Sequence, residues 1–159
     1  MKILAISGSL RSASKNTSLL RALAALDPSI ALYERIGELP HFNSDIDDAG
    51  APQSVLDYRE QLRDADLIVI SSPEYAHGVP GVMKNALDWV VGSGELMEKP
   101  VVLINTSHAS KFVCPQLSET LTVMSAKVVL TVTIWPLEES SLRALTDQLH
   151  NIETTARSA

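Results

Sequence analysis

The first seventeen residues, MKILAISGSLRSASKNT (residues 1–17), decide the fold of this chain. The consecutive apolar run Ile3–Ile6 is typical of a central parallel strand that is covered on both faces. Beyond a loop rich in hydroxyl groups, an apolar helical face is formed by Leu19, Leu20, Leu23 and Leu26. A strand that passes through a tight polar loop into a helix directs free backbone N–H groups and the positive helix dipole at one point. The stretch therefore predicts an anion site.

Four further apolar runs alternate with helical patterns along the chain. The predicted strands are Ile3–Ile6, Ile30–Tyr33, Leu67–Ile70, Val101–Ile104 and Val128–Ile134. Because each parallel crossover needs a helix, they predict an α/β fold with a doubly wound five-stranded parallel sheet and helices on both faces. Partial alternation in the fifth strand suits a sheet edge, which favours the flavodoxin-like order 2-1-3-4-5. We expect one domain over residues 1–159, with a long surface loop at Gly37–Ala51.

Composition excludes several other classes of protein. A net charge of −6 and a pI near 5.1 argue against a nucleic-acid partner, which normally leaves a basic face. No apolar stretch is long enough for a signal-peptide core or a membrane span, so we expect no membrane insertion. The single cysteine, Cys114, suits a reducing compartment and predicts a cytoplasmic protein. The histidines lack companion ligands at metal-site spacing, and no metal is predicted.

Three polar loops follow the first, third and fourth strands: Ser7–Thr17, Ser71–Val79 and Asn105–Lys111. In this fold, ligands bind at the carboxyl ends of these strands. The first loop contains neither the three glycines of a dinucleotide site nor the lysine motif of a triphosphate site. Its hydroxyl and amide groups around Arg11 suit one phosphate monoester. The alternative is a hydroxyl-rich cap that serves only the first helix.

Two segments also resemble a known family. SGSLRSASKNTSLL at Ser7–Leu20 and SPEYAHGVPGVMKNALDW at Ser72–Trp89 are similar to the NADPH-dependent FMN reductase family, which includes quinone, azo-dye and chromate reductases. A weaker match, LPHFNSDID at Leu39–Asp47, resembles the family's loop after the second strand. The predicted elements follow the family's fold over nearly the whole chain.

The resemblance implies FMN as the cofactor and NADPH or NADH as the co-substrate. It implies that the phosphate is bound by Ser9, Arg11, Ser14, Asn16 and Thr17. It places along the flavin ring Pro73, Glu74, Tyr75, Ala76, His77 and Gly78, and we add Ser107 from the third loop. Tyr75 can contact the flavin or, alternatively, pack against Pro80 or a partner subunit. His77 can hydrogen-bond flavin or substrate.

The chain departs from the family pattern in two places. Residues 107–112, SHASKF, stand where family members commonly have a glycine-rich loop, and we expect the larger side chains to narrow the pocket. Ala76 stands where asparagine is frequent. For the matching residues Lys84, Asn85, Asp88 and Trp89 we favour structural roles. Cys114 is interpreted as a buried small hydrophobe in preference to a redox thiol.

With FMN bound, the expected activity is ping-pong hydride transfer from NAD(P)H to FMN and on to a small-molecule electron acceptor. The acceptor classes are quinones, azo compounds, metal oxyanions and free flavin. This chemistry needs no catalytic side chain, because it belongs to the cofactor. The alternatives are an FMN-binding electron carrier and a flavin-free structural relative. By analogy with the family, we expect a homodimer or homotetramer.

Overall fold

The computed structural model describes residues 1–156, with side chains as far as Ile152. Five parallel strands form one sheet in the order β2-β1-β3-β4-β5. They are β1 (Ile3–Ser7), β2 (Ile30–Tyr33), β3 (Leu67–Ser71), β4 (Pro100–Asn105) and β5 (Lys127–Thr133). The helices are α1 (Lys15–Leu26), α2 (Ser44–Gly50), α3 (Gln53–Asp64), α4 (Gly81–Val91), α5 (Val113–Val123) and α6 (Glu139–Ala156), and a 3-10 helix covers Ile36–Glu38. The predicted strand order is confirmed, and β5 lies at an edge as expected.

Helices cover both faces of the sheet, and each face has its own apolar core. On one face, leucines of α1 and α6 pack on Ile3 and Ala5 of β1. On the other face, α3, α4 and α5 pack on Leu4 and Ile6. Successive residues of β1 therefore serve opposite layers, which explains why the sequence of a central strand is apolar at every position.

The prediction of an unstructured surface loop at Gly37–Ala51 was wrong. The 3-10 helix occupies its start, and α2 lies within it. The Asn43 side chain caps α2 by accepting a hydrogen bond from the Asp45 N–H at 2.9 Å. The helix has no buried residue. A helix of seven residues without an apolar face leaves no periodic pattern in the sequence, and its capping residues resemble those of a turn.

The family-like residues of α4 have the structural roles that we favoured. Asn85 Nδ2 and Trp89 Nε1 both donate to the carbonyl oxygen of Pro40, at 2.9 and 2.7 Å. Asn85 Oδ1 also accepts from the Phe42 N–H at 2.8 Å. These bonds attach the segment before α2 to α4. Lys84 and Asp88 form an ion pair on the outer surface of the same helix.

Strand register brings the three polar loops to one edge of the sheet. Ser7 of β1 is level with Ser71 of β3, and Ser71 is level with Ile104 of β4. The loops that follow these strands therefore start side by side, at the point where the chain reverses its direction across the sheet. Among the described residues, no helix is long and apolar enough to cross a membrane.

Candidate functional site

A cavity of about 320 Å³ lies among the three loops at the carboxyl edge of the sheet. Loop 1, residues 8–14, and the first turn of α1 form one side of it. Loop 2, residues 72–80, and loop 3, residues 106–112, form the remainder. The lining residues are Ser9, Arg11, Ala13, Ser14, Lys15, Asn16, Ser72, Pro73, Glu74, Tyr75, Asn105, Thr106, Ser107 and Ser110. The site is thus built by the loops that the topology places together.

The N-terminus of α1 presents unused donors to this cavity. Ser14 is the N-cap, and its Oγ accepts a hydrogen bond from the Thr17 N–H at 3.2 Å. The backbone N–H groups of Lys15 and Asn16 have no acceptor within the described residues. Arg11 is exposed and takes part in none of the ion pairs of the described residues. This end of the helix therefore combines free N–H groups, the positive dipole and an unpaired guanidinium, which together suit an anion.

Asn16 is a buried residue that connects the start of α1 to the ends of β3 and β4. Its Oδ1 accepts hydrogen bonds from Ser71 Oγ at 2.9 Å and from Thr106 Oγ1 at 3.1 Å. Only 5% of the residue is exposed. Its amide Nδ2 has no protein acceptor among the described residues. An N–H donor without an acceptor is unfavourable in free energy. We therefore expect the Nδ2 group to donate to a ligand oxygen or a water in the cavity.

The structure brings together most of the residues that the sequence indicates. Eight of them line the cavity: Ser9, Arg11, Ser14, Asn16, Pro73, Glu74, Tyr75 and Ser107. Thr17 instead lines an adjoining cavity of about 290 Å³, which Ser9 and Arg11 also border. Its hydroxyl is paired with Ser7 Oγ at 2.8 Å. Ala76, His77 and Gly78 lie at the tip of loop 2 and are not among the lining residues of either cavity.

The tip of loop 2 is a tight hairpin turn. Tyr75 and Gly78 exchange both backbone hydrogen bonds, at 3.1 and 2.9 Å. Between them, Ala76 and His77 have φ angles of 49° and 59°. Positive φ at both central residues defines the type I′ turn, which favours asparagine or glycine. Two ordinary residues therefore carry backbone strain beside the cavity.

Replacing Ala76 with asparagine is expected to stabilise the protein by about 0.5 to 1 kcal/mol, because asparagine tolerates the left-handed region better than alanine. Ala76 is exposed, so the larger side chain meets no packing penalty. Urea unfolding measures the change. Ala109→Asn is the matched control, because Ala109 is an exposed loop residue without a positive φ. If the free energy of unfolding rises equally in both variants, or does not rise in Ala76→Asn, the prediction of backbone strain at this turn is contradicted.

The start of α5 holds loop 2 by side-chain contacts. Glu74 accepts hydrogen bonds from the backbone N–H groups of Phe112, at 2.7 Å, and Val113, at 3.1 Å. Gln116 accepts from the Val79 N–H at 3.2 Å and donates to the His77 carbonyl at 2.9 Å. The His77 ring stacks on Phe112 with centroids 4.4 Å apart. The place of Glu74 beside a flavin stays a prediction, and the structure shows that its carboxylate caps α5, which has no capping side chain of its own.

The two hydrogen bonds accepted by Glu74 make the link between loops 2 and 3 dependent on pH. The Phe112 N–H is the main reason that the pKa of the Glu74 carboxyl lies below its ordinary value. A lowered pKa in the folded state means that Glu74 stabilises the protein above its unfolded pKa, and that this contribution is lost as the pH falls through the folded pKa.

We expect Glu74→Gln to lose less stability than wild type on acidification from pH 7 through the carboxyl range. Urea unfolding at several pH values measures this, with Glu119→Gln, an exposed position on α5, as the control; identical pH profiles for Glu74→Gln and wild type contradict it.

Loop 3 reaches its conformation without glycine. The Asn105 side chain donates to the Ser110 carbonyl at 3.1 Å and accepts from the Ser107 N–H at 3.1 Å. The Ser110 N–H donates to the Ser107 carbonyl at 3.2 Å. None of residues 105–112 has a positive φ. The side chains of Ser107 and Ser110 border the cavity, whereas His108, Lys111 and Phe112 do not, so the larger residues of this loop do not fill it.

Several lining residues were missed by the sequence reasoning. They are Ala13, Lys15, Ser72, Asn105, Thr106 and Ser110. Ser72, Asn105 and Thr106 are buried polar residues at strand ends, and they lie in the two loops that the sequence already places at the ligand-binding edge, so their position was the signal that could have found them. Gln116 was also missed, because its role is to hold loop 2 from outside the cavity.

Cys114 does not have the surroundings of a reactive thiol. It is half-buried in the first turn of α5 and packs against the apolar core. Burial, assisted by the nearby Glu74 carboxylate, raises the pKa of its thiol. The protonated form is therefore favoured, as expected for a small apolar residue. The part of the chain that the structure describes contains no group of three histidine, cysteine or acidic residues able to hold a metal ion.

Comparison with known proteins agrees with this architecture. An NAD(P)H-dependent FMN reductase of Pseudomonas aeruginosa is 39% identical over 112 residues, which cover 67% of this chain and 60% of that protein. A quinone reductase of Escherichia coli is 36% identical over 113 residues, with the same two coverages. The chain thus matches about 60% of the length of these curated relatives.

Similarity to a solved structure extends over the entire chain. The flavoenzyme NAD(P)H:(acceptor) oxidoreductase FerB of Paracoccus denitrificans superposes with a TM-score of 0.77 at 26% identity, covering 99% of this chain and 98% of FerB. The sequence model described as NADPH-dependent FMN reductase matches residues 1–138. Because that match includes most of the chain and all three loops, the protein belongs to the NADPH-dependent FMN reductase family.

Proposed function

We propose that this chain, as a single domain, is an FMN-dependent NAD(P)H oxidoreductase. It would reduce small electron acceptors, with quinones as the first class to test. The observation that carries the proposal is the cavity at the carboxyl edge of the sheet, where three loops surround a helix N-terminus with unpaired donors. The names of its relatives, an FMN reductase and a quinone reductase, support the same cofactor and acceptors.

The residues at the start of α1 fit a phosphate monoester. Asn16 offers its unpaired Nδ2, and the N–H groups of Lys15 and Asn16 have no protein acceptor in the described chain. The Ser9 hydroxyl accepts a bond from the Arg11 N–H at 3.3 Å and keeps its own hydrogen for a ligand. With Arg11, these groups satisfy several phosphate oxygens with one full positive charge. We assign the phosphate of FMN to this end of the cavity, with Ser14 and Thr17 supporting the helix turn.

Loops 2 and 3 fit a planar ring at the other end of the cavity. Pro73, Glu74 and Tyr75 line it from loop 2, and Ser107 lines it from loop 3. Tyr75 is 55% exposed, so it is available to contact a ring or a substrate and is not a core residue. We assign Ala76, His77 and Gly78 a supporting role, because they shape the turn that carries Tyr75.

The chain's own residues would contribute to the reaction by positioning the flavin and by their electrostatic effect on it. Bound FMN would supply hydride acceptance from NAD(P)H and electron transfer to the acceptor. The Glu74 and Gln116 bonds hold loop 2 against α5, which fixes the ring-binding side of the cavity. No side chain is assigned a proton-transfer or nucleophilic role. Because one exposed face would serve both NAD(P)H and the acceptor, we expect ping-pong kinetics.

Purification and anaerobic reduction test the proposal directly. The protein is expected to be yellow, or to become yellow with added FMN, and NADPH or NADH is expected to bleach it in the absence of oxygen. Reoxidation by a quinone, an azo dye, chromate and free FMN, measured in parallel, ranks the acceptor classes. A flavin-loaded protein that neither nucleotide bleaches would be an electron carrier, and a protein that never binds FMN would be a flavin-free relative.

We further propose a cytoplasmic homo-oligomer. The single, half-buried Cys114 supports a reducing compartment. Two aromatic residues beside the site, Tyr75 and Phe112, are 55% and 43% exposed, which supports a subunit contact near the cavity. Size-exclusion chromatography with light scattering measures the oligomeric state, and a monomer at micromolar concentration would contradict this part of the proposal.

A further inference from the structure

Lys15 places a positive charge where the helix dipole opposes it. It is the first residue of α1, and no acidic residue lies in the first turn of that helix. An ammonium at this end is unfavourable unless an anion is near. In the part of the chain that the structure describes, the lysines in ion pairs are Lys2, Lys84 and Lys127, and Lys15 has no such partner. The described residues therefore provide no counterion for this charge.

The Lys15 side chain nevertheless has a partner within the chain, an aromatic ring. Its Nζ lies 4.1 Å from the ring centroid of Trp135, within the range of a cation–π contact. Trp135 follows β5, and its neighbour Ile134 is anchored to the sheet by a hydrogen bond from its N–H to the Asn105 carbonyl at 2.9 Å. Trp135 is 38% exposed. A ring from the segment after the edge strand thus contacts an ammonium group carried by α1.

Lys15 also lines the candidate cavity, between Ser14 and Asn16. The Trp135 ring face attracts the ammonium electrostatically but supplies no negative charge and accepts no ordinary hydrogen bond. The ammonium therefore keeps its three donors for another partner. An anion at the N-terminus of α1 would be that partner, and it would be held by both the helix dipole and Lys15.

We propose that Trp135 is a positioning residue that holds Lys15 beside the phosphate end of the cavity, so that Lys15 adds a second positive charge to that of Arg11. This inference rests on the proposed function, because it takes the anion to be the phosphate of FMN. It assigns to the segment after β5 a part in cofactor binding, although that strand contributes no residue to the cavity wall.

Equilibrium binding of FMN to the apoprotein tests the inference. Lys15→Met is expected to weaken binding by about tenfold, the effect of one charge-assisted hydrogen bond. Trp135→Ala, which keeps the charge but frees the side chain, is expected to weaken it by about three- to fivefold. Lys15→Arg retains both the charge and the ring contact and should restore affinity to within about twofold of wild type. Lys2→Met removes an equal charge at the opposite edge of the sheet and is expected to leave the affinity unchanged.

A fluorescence measurement provides a readout that does not require flavin. The chain has two tryptophans, and Trp89 is fully buried, so the emission lost in Trp135→Phe belongs to Trp135. Inorganic phosphate added to the apoprotein is expected to change this emission, because the anion binds the ammonium group that lies against the ring and so alters the electric field at the indole. The change should be absent in Lys15→Met.

The outcomes separate this inference from the proposed function. If wild type binds FMN and Lys15→Met binds it equally well, the role of Lys15 is refuted while the function stands. If Lys15→Met is weakened but Trp135→Ala is not, Lys15 needs no positioning and the role of Trp135 is refuted. If wild type binds no FMN, the proposed function falls and this inference falls with it.

Discussion

Replacing Gly8 with alanine is expected to lower the free energy of unfolding by about 2 to 3 kcal/mol and to prevent FMN binding. A Cβ at this position would lie 2.3 Å from Ser72 Oγ, 2.9 Å from Ser72 Cβ and 3.2 Å from Ser72 Cα. Ser72 is 3% exposed and cannot move into solvent. The Gly8 N–H donates to the Ser71 carbonyl at 2.9 Å, so loop 1 cannot move away from loop 2 without losing that bond. The added methyl group would therefore separate the two loops that form the cavity.

Urea unfolding and FMN titration measure the two effects of Gly8→Ala. Gly92→Ala is the matched control, because a Cβ on Gly92 meets nothing within 4 Å and its φ of −80° suits alanine. The double variant Gly8→Ala with Ser72→Gly removes the hydroxyl and Cβ that clash, and it should recover part of the stability. Wild-type stability in Gly8→Ala would show that the two loops are not in close contact.

Replacing Asn16 with aspartate is expected to weaken FMN binding by at least about a hundredfold while changing stability by about 1 kcal/mol or less. The aspartate retains an oxygen in the place of Oδ1, which accepts the bonds from Ser71 and Thr106. It replaces the Nδ2 donor with a negatively charged oxygen that repels a phosphate. An acidic group in the first turn also agrees with the helix dipole, which limits the cost to folding.

Comparison of two flavins identifies the cause of the loss in Asn16→Asp. Riboflavin has no phosphate, so its affinity for wild type and for the variant should be similar, whereas FMN should discriminate strongly between them. Gln148→Glu, which adds the same charge on the exposed side of α6, is the control for net charge. Equal loss of FMN and riboflavin would mean that the substitution distorts the cavity, and unchanged FMN binding would contradict the phosphate assignment.

The sheet and its order could be predicted because each central strand is a continuous apolar run in the sequence. Ile3–Ser7 and Leu67–Ser71 are apolar at every position except the last, and they are buried at every position. Helix α2 could not be predicted in this way. Its capping residue, Asn43, resembles a turn residue in the sequence, and its ion pair between Asp47 and the buried Arg59, at 2.9 Å, joins residues in different helices and leaves no local pattern.

The residues of the candidate site could be predicted where they form a contiguous motif in one loop. They could not be predicted where they depend on hydrogen bonds between loops. The motif around Arg11 and Asn16 is contiguous, so the sequence indicates its chemistry. It does not reveal that Asn16 is buried and bonded to Ser71 and Thr106, residues 55 and 90 positions away. Glu74 shows the same limit, because a carboxylate beside a ligand site and a carboxylate that caps a distant helix look identical in the sequence.

The bonds at Asn16 Oδ1 affect how the protein would exchange its cofactor. They join the start of α1 to the ends of β3 and β4 without any ligand, and the loop 3 bonds at Asn105 are likewise complete within the chain. Because this framework is formed by the chain's own bonds, we expect FMN binding to cost little ordering of the chain. Release of FMN would leave a folded protein ready to bind again. Reduced flavin itself would then be a product that this chain can deliver, and trapping experiments with a second flavoprotein can detect such delivery.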